Sequence, residues 1–102
     1  MKPHAMLVIY VDETDIHGDL PLYEAIVRRL LARDIAGATV QSGLMGYGRH
    51  GQLHRKRLFG ISDDRPIVIS AVDTEEKIRA VLPELRHIVR EGLITISSVE
   101  VV

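Results

Sequence analysis

Ala5-Met6-Leu7-Val8-Ile9-Tyr10-Val11 is apolar at every position, rich in strand formers and stopped by Asp12. A run this short and uniform reads as a β-strand buried on both faces, because a half-exposed strand would alternate apolar with polar residues. Ile67 to Val72 is an almost equally apolar run of the same kind. Between the two, Asp19 is placed to cap a helix that tolerates Pro21 in its first turn. That helix carries apolar residues at Leu22, Tyr23, Ile26, Val27, Leu30 and Leu31 and ends near Arg33 or Asp34. Ala38 to Met45 reads as a second strand. A loop follows, with Leu58 and Phe59 on its far side and a turn at Asp63-Asp64-Arg65-Pro66. Asp73-Thr74-Glu75-Glu76 has the form of a capping box with Asp73 as the N-cap. The helix it opens is apolar at Ile78, Val81, Leu82, Leu85, Ile88 and Val89, a stripe at the 3.6 period. Pro83 in its middle removes one backbone hydrogen bond and predicts a kink costing about 3 kcal/mol. Gly92 ends the helix, and Leu93 to Val102 is a last strand with partial alternation.

The order βαββαβ fits an α+β, ferredoxin-like split βαβ sandwich, one domain over residues 1–102, with two helices on one face of an antiparallel sheet. Two helices cover one face only, yet the first and third strands are apolar almost throughout. The economical cover for the other face is further copies of the chain, so a homo-oligomer built sheet to sheet is expected. Its size points the same way: a chain of 102 residues buries about two thirds of the surface its unfolded form exposes, and a partner subunit adds to that.

Composition narrows the function. The formal charge is −1, which argues against broad electrostatic binding to nucleic acid or to membrane surfaces. The chain has no cysteine, which excludes disulfides, thiol chemistry and cysteine-held metal clusters. The N-terminal apolar run is about nine residues, with no cleavage-like site after it, and no run reaches the 18 or so residues of a membrane span. A cytoplasmic location is the expectation, with no membrane insertion.

The charge that exists is concentrated. Gly43-Leu44-Met45-Gly46-Tyr47-Gly48-Arg49-His50-Gly51-Gln52-Leu53-His54-Arg55-Lys56-Arg57 takes a strand into glycines and then into a cluster of cations. Glycines let backbone N–H groups approach a ligand closely, and arginine and lysine complement a phosphate or carboxylate. A bulge and tight turn leaving the strand would use the same glycines, and a solvated loop would carry the same cations. Other constellations are weaker. His50 and His54 lie four apart, a metal-binding spacing only on a helix, which Gly48 and Gly51 oppose. Asp12, Glu13, Asp15 and His17 lack the ordered ligand spacing of a calcium loop and read as a solvated turn before the first helix. Asp63-Asp64 reads as a turn and His87 as a half-exposed packing residue. Ser42 and Thr39 have no histidine placed to activate them, so no catalytic and no metal-binding residue is assigned.

Tyr10-Val11-Asp12-Glu13, Pro21-Leu22-Tyr23-Glu24-Ala25-Ile26, Gly37-Ala38-Thr39-Val40, Gly46-Tyr47-Gly48 and Val72-Asp73-Thr74-Glu75-Glu76-Lys77-Ile78 together resemble a small PII-like family, domain of unknown function 190, over nearly the whole chain. Gly37 to Arg49 also resembles the second strand and T-loop base of the PII signal-transduction proteins themselves. The resemblance implies a compact homotrimer with an adenine nucleotide in the clefts between subunits, and no obligatory cofactor. It implies ligand-binding roles for Gly43, Gly46, Tyr47, Gly48, Arg49 and His54, with Arg49 matching the PII arginine that reaches the phosphates. Arg55, Lys56 and Arg57 would face a target protein, such as a membrane transport protein. Departures from PII are visible too. Only Glu91-Gly92 stands where PII carries a glycine-rich phosphate loop, the basic C-terminal segment of PII has no counterpart before Val102, and His54 lies near the place of the tyrosine that some PII proteins present for uridylylation. These favour AMP or ADP over a triphosphate. A metal-dependent nucleotide-processing enzyme and a ligand-free protein-binding module are the two alternative readings.

Overall fold

The computed structural model describes residues 2–47, the backbone of 53–55, and residues 65–102. The chain runs β1 (His4–Asp12), β2 (Ile16–His17), β3 (Leu20–Pro21), α1 (Leu22–Ala32), β4 (Ala38–Ser42), β5 (Met45–Tyr47), β6 (Leu53–Arg55), β7 (Pro66–Thr74), α2 (Glu75–Ile88) and β8 (Leu93–Val99). Four strands form one antiparallel sheet in the order β4-β7-β1-β8, with β2-β3 and β5-β6 as separate small hairpins. The expected ferredoxin-like α+β fold is therefore present, with the two long apolar strands paired at its centre.

Their register explains the core. β1 and β7 pair from His4 opposite Thr74 to Asp12 opposite Pro66, and because side chains alternate in a strand, one face receives Ala5, Leu7, Ile9, Val11, Ile67, Ile69 and Ala71. These pack with Leu22, Ile26 and Leu30 of α1 and with Ile78, Val81, Leu85 and Ile88 of α2 into one buried cluster. Both helices thus lie on one side. Across that side, Arg29 of α1 and Arg33 at its C-cap reach Glu84 of α2 at 3.2 and 2.7 Å. The hydrogen bond from Arg33, with help from Arg29, holds the Glu84 carboxyl below its ordinary range, and Glu84 in turn raises the Arg33 guanidinium.

Several boundaries differ from the sequence reading, each for a local reason. Asp19 does not cap α1. It sits with Gly18 in the turn of the β2-β3 hairpin, where Gly18 takes φ +61°, and Pro21 stands at the N-cap position. The first free N–H of the helix, that of Leu22, donates instead to the Asp15 carbonyl at 2.7 Å. Leu31 is exposed rather than buried. The second strand stops at Ser42 and resumes as β5 after Gly43 and Leu44. Helix α2 is capped by Thr74, whose side chain accepts from the Lys77 N–H at 3.3 Å. The capping-box frame thus shifts by one residue and puts a lysine where the glutamate was expected. Pro83 lies inside an unbroken α2; Pro83 and Arg79 are both exposed, so the carbonyl that loses its donor faces water. The last strand ends at Val99, and α2 ends at Ile88, ahead of Gly92.

Asp73, freed from the cap, ties α1 to β4. Its carboxylate accepts from the Ala36 N–H at 2.9 Å and the Thr74 N–H at 2.7 Å, and pairs with Lys77 at 3.2 Å. Lys77 also donates to the carbonyl of Asp34, the residue that ends α1 in the left-handed region at φ 59°. Burial works to raise the Asp73 carboxyl, but the donors from Thr74, Ala36 and Lys77 outweigh it and hold the group below its ordinary value.

A carboxylate with a depressed folded pKa contributes stability above its unfolded pKa, near 4, and loses it as pH falls through the folded value. Asp73→Asn is therefore expected to lower stability at pH 7 by roughly 1–3 kcal/mol, the loss of charge-assisted bonds to the Ala36 and Thr74 N–H groups and of the pair with Lys77. Urea unfolding across pH should show wild type and variant converging as pH falls through the depressed folded value of Asp73.

Candidate functional site

Four chain segments meet at one end of the sheet. Asp12 ends β1 opposite Pro66, which begins β7; Ser42 of β4 pairs with Ile67, and Leu93 of β8 pairs with Tyr10. The glycine-rich segment leaves the sheet at this end, beyond β4. Gly43 donates its N–H to the Pro66 carbonyl at 2.8 Å, and a Cβ on Gly43 would lie 2.7 Å from the Pro66 ring. Gly46 approaches the same ring, its hypothetical Cβ at 3.2 Å. Both glycines thus have a packing reason: a Cβ on Gly43 would overlap the Pro66 ring, and one on Gly46 would need the ring to give by a few tenths of an ångström. The intervening side chains turn outward, with Leu44, Met45 and Tyr47 exposed to 85, 60 and 73%.

The β5-β6 pairing sets Met45 opposite Arg55, Gly46 opposite His54 and Tyr47 opposite Leu53. It therefore brings together three of the expected ligand residues, Gly46, Tyr47 and His54, with Gly43 at the root and Arg55 on the far strand. Gly48, Arg49, Lys56 and Arg57 lie outside the described residues, as do His50, Leu58, Phe59, Asp63 and Asp64. His54 stands in a strand, so the helical spacing that a His50–His54 metal pair requires does not hold at this end of it.

The acidic segment beside this end is occupied locally. Asp12 Oδ1 accepts from the Thr14 N–H at 2.9 Å and its hydroxyl at 3.0 Å, Asp15 Oδ2 accepts from the Asp12 N–H at 2.9 Å, and the Glu13 N–H donates to the Arg65 carbonyl at 2.9 Å. This is a turn held by its own carboxylates. Among the described residues no group of three or more histidine, aspartate or glutamate side chains is placed to hold a metal ion.

The short α2-to-β8 connection closes the other side. A Cβ on Gly92 would lie 2.6 Å from the Tyr10 carbonyl and 2.9 Å from Val89, so this glycine marks a close passage of the connection over β1. On the helix side, Leu82, Arg86, Val89, Gly92, Ile94 and Ile96 line an open groove of about 590 Å³. The groove sits at the β8 edge, whereas the glycine hairpin leaves the opposite edge at β4, and nothing in the geometry joins the two. Pro66 and Tyr10 were not singled out from sequence. The only signal for Pro66 would have been its position at the start of a central strand, where a proline marks an end rather than an interior.

A four-stranded β4-β7-β1-β8 sheet with both helices on one face and a glycine hairpin leaving its edge strand β4 defines a ferredoxin-like α+β domain. The chain belongs to the DUF190 family (Uncharacterized ACR, COG1993), whose model matches residues 4–101. A UPF0166 protein of Aquifex aeolicus is 33% identical over 97 residues, covering 95% of this chain and 91% of that one. UPF0166 protein MJ1524 of Methanocaldococcus jannaschii is 39% identical over 98 residues, covering 94% of this chain and 89% of that one. Among solved structures, CPII, a nitrogen regulatory PII-like protein from Thiomonas intermedia K12 bound to ADP, AMP and bicarbonate, superposes with a TM-score of 0.74 at 23% identity, over 97% of this chain and 88% of its own. The divalent ion tolerance protein CutA1 of Ehrlichia chaffeensis superposes with a TM-score of 0.68 at 16% identity, over 100% of this chain and 86% of its own. No helix among the described residues is long and apolar enough to cross a membrane.

The glycine contacts carry a test. Gly43→Ala is expected to destabilise the chain by about 1–3 kcal/mol, the usual range for a forced contact in a packed site. Pro66→Ala removes the ring atom that the new methyl meets. Thermal or urea denaturation of both single variants and the double variant should show the double recovering at least half of the Gly43→Ala loss, as expected for residues in contact.

Proposed function

We propose that this protein is a trimeric, PII-like regulatory protein that binds AMP or ADP in the clefts between subunits and uses residues 46–57 to contact a target protein. The observation that carries the reading is the hairpin rooted on Pro66, in a fold shared with a protein bound to ADP and AMP. Gly46 and Gly48 let the main chain follow the nucleotide, Tyr47 packs at the cleft mouth and His54 stands across from Gly46. Arg49 supplies the charge-assisted contact to phosphate. Arg55, Lys56 and Arg57 suit an acidic surface on a partner such as a membrane transport protein. The α2-to-β8 connection is only four residues, Val89 to Gly92, and leaves little backbone to cradle a second or third phosphate, which favours AMP and ADP.

The trimer has support of its own. On the face turned away from the helices, the register presents Met6, Val72 and Ser97, then Val8, Ser70, Thr39 and Thr95, then Tyr10, Val68, Gln41 and Leu93. None of these carries a charge, as suits a face that other copies cover.

Native mass spectrometry is expected to give a trimer, and calorimetry to show AMP and ADP binding, with ATP weaker. Arg49→Ala should weaken ADP binding at least tenfold while leaving the trimer intact, a loss in line with one charge-assisted phosphate contact. A folded oligomer that binds none of AMP, ADP, ATP or cyclic nucleotides would overturn the reading. Steady nucleotide turnover abolished by chelator would replace it with the enzyme.

A further inference from the structure

The uncharged face ends in a row that differs from the rest of it. Gln41 of β4 pairs with Val68 of β7, Val68 with Tyr10 of β1, and Tyr10 with Leu93 of β8. All four side chains share the open face, because their chain neighbours Ile9, Val11, Ile67, Ile69 and Ile94 belong to the helix-side core. Along β1 this is the exposed position of the face, Tyr10 at 43% against half-buried Met6 and Val8, and Leu93 at the β8 edge is 55% exposed. The row is one step from the sheet end at which Asp12, Pro66, Gly43 and Gly92 converge.

The composition of this row is unlike that of a surface covered only by another copy. The two rows below it hold methionine, valines, serines and threonines. Of these three rows, the end row alone holds an aromatic ring and a carboxamide. A flat ring flanked by aliphatic side chains is what the face of a nucleobase stacks on. A glutamine amide offers a donor and an acceptor together, which is what the edge of a purine requires. Four strands about 4.8 Å apart span roughly 14 Å, wide enough for a purine with its ribose beyond one edge.

We propose that Gln41, Val68, Tyr10 and Leu93 form the base-binding platform of the nucleotide site, Tyr10 stacking on the purine, Val68 and Leu93 bounding it, and Gln41 reading its edge. The inference rests on the nucleotide reading above and adds to it a set of residues outside the hairpin. The lower rows remain the surface on which copies pack, and the hairpin root supplies the contacts beyond the base.

The chain has three tyrosines and no tryptophan, so the stacking residue can be read spectroscopically. Wild type is expected to show quenching of tyrosine emission on titration with AMP, monitored on the oligomer confirmed by native mass spectrometry. Tyr10→Phe keeps a stacking ring and should bind AMP within about twofold of wild type while losing most of the quench. Tyr10→Ala should raise the dissociation constant roughly 5- to 150-fold, the range for loss of one stacked ring. Gln41→Ala should bring the affinities for AMP and IMP, which differ at the purine edge, to within about twofold of each other. If Tyr10→Ala disrupts the oligomer, Tyr10→Phe and Gln41→Ala still decide. Wild-type binding with an undiminished quench in Tyr10→Phe, or with unchanged AMP-to-IMP preference in Gln41→Ala, overturns the platform and leaves the nucleotide reading standing. A wild type that binds no adenine nucleotide overturns both.

Discussion

The antiparallel register of β1 with β7 is the constraint on which the rest of this structure depends. It pairs nine residues of each strand without a bulge and decides, residue by residue, which side chains meet the helices. A slip by one position would send Ala5, Leu7, Ile9, Ile67 and Ile69 to the open face and bring Met6, Tyr10 and Ser70 beneath the helices. The helix stripes would then face an uneven surface with a hydroxyl and a large ring in it. Burying a Leu or Ile side chain is worth about 1.5–3 kcal/mol, so the loss over several core positions would exceed the total stability of a domain this size. Everything at the sheet end, from the hairpin root to the passage of Gly92 over Tyr10, takes its position from this pairing.

Charge is sorted by the same division. Arg28 with Glu24, Arg29 and Arg33 with Glu84, Lys77 with Asp73, and Arg79 with Glu75 all pair on or between the helices. Most are exposed pairs worth well under 1 kcal/mol each. Their effect is on placement more than on stability: opposite charges are spent against each other on the helical side, and the strands contribute none to the other side between His4 and Asp12. An uncharged sheet face can be covered by another copy without a desolvation penalty for ions.

Much of this was legible in the sequence because apolar runs and helical stripes report burial directly. The two central strands, both helices, the final strand and the βαββαβ order follow from Ala5–Val11, Ile67–Val72 and the stripes at Ile26–Leu30 and Ile78–Ile88. Uniform apolarity predicts cover on two faces; within one chain only Ala5, Leu7, Ile9 and Val11 of β1 are buried. The caps were misread because a cap depends on backbone dihedrals at one residue. Asp19 and Asp73 are both good N-cap residues by type, yet Asp19 is in a hairpin turn and Asp73 is drawn to the Ala36 N–H, 37 positions away in sequence. Long-range partners of that kind leave no local trace. In the candidate site, the glycines were visible as glycines, but their packing on Pro66 needed the register of β4 with β7. The row of Gln41, Val68, Tyr10 and Leu93 needed all three strand pairings at once.

Core packing and the contacts of the sheet end therefore fall to different residues. The side chains with no exposed surface, among them Leu7, Ile9, Ile26, Ile69, Ile78 and Leu85, all lie on the helix side, where close packing leaves little freedom for rearrangement. The opposite end of the sheet is held by small contacts: two glycines against one proline ring, one glycine beneath a carbonyl, and a turn closed by its own aspartates. Elements attached in this way open at lower free energy than the core. On the nucleotide-binding proposal, a ligand at the sheet end would reorganise the hairpin without disturbing Leu7 or Ile69, because the two regions share only the backbone of β7 and β1. On the function proposed above, coupling from ligand to target would pass through the hairpin root at Gly43 and Pro66, where a Cβ on Gly43 would overlap the proline ring.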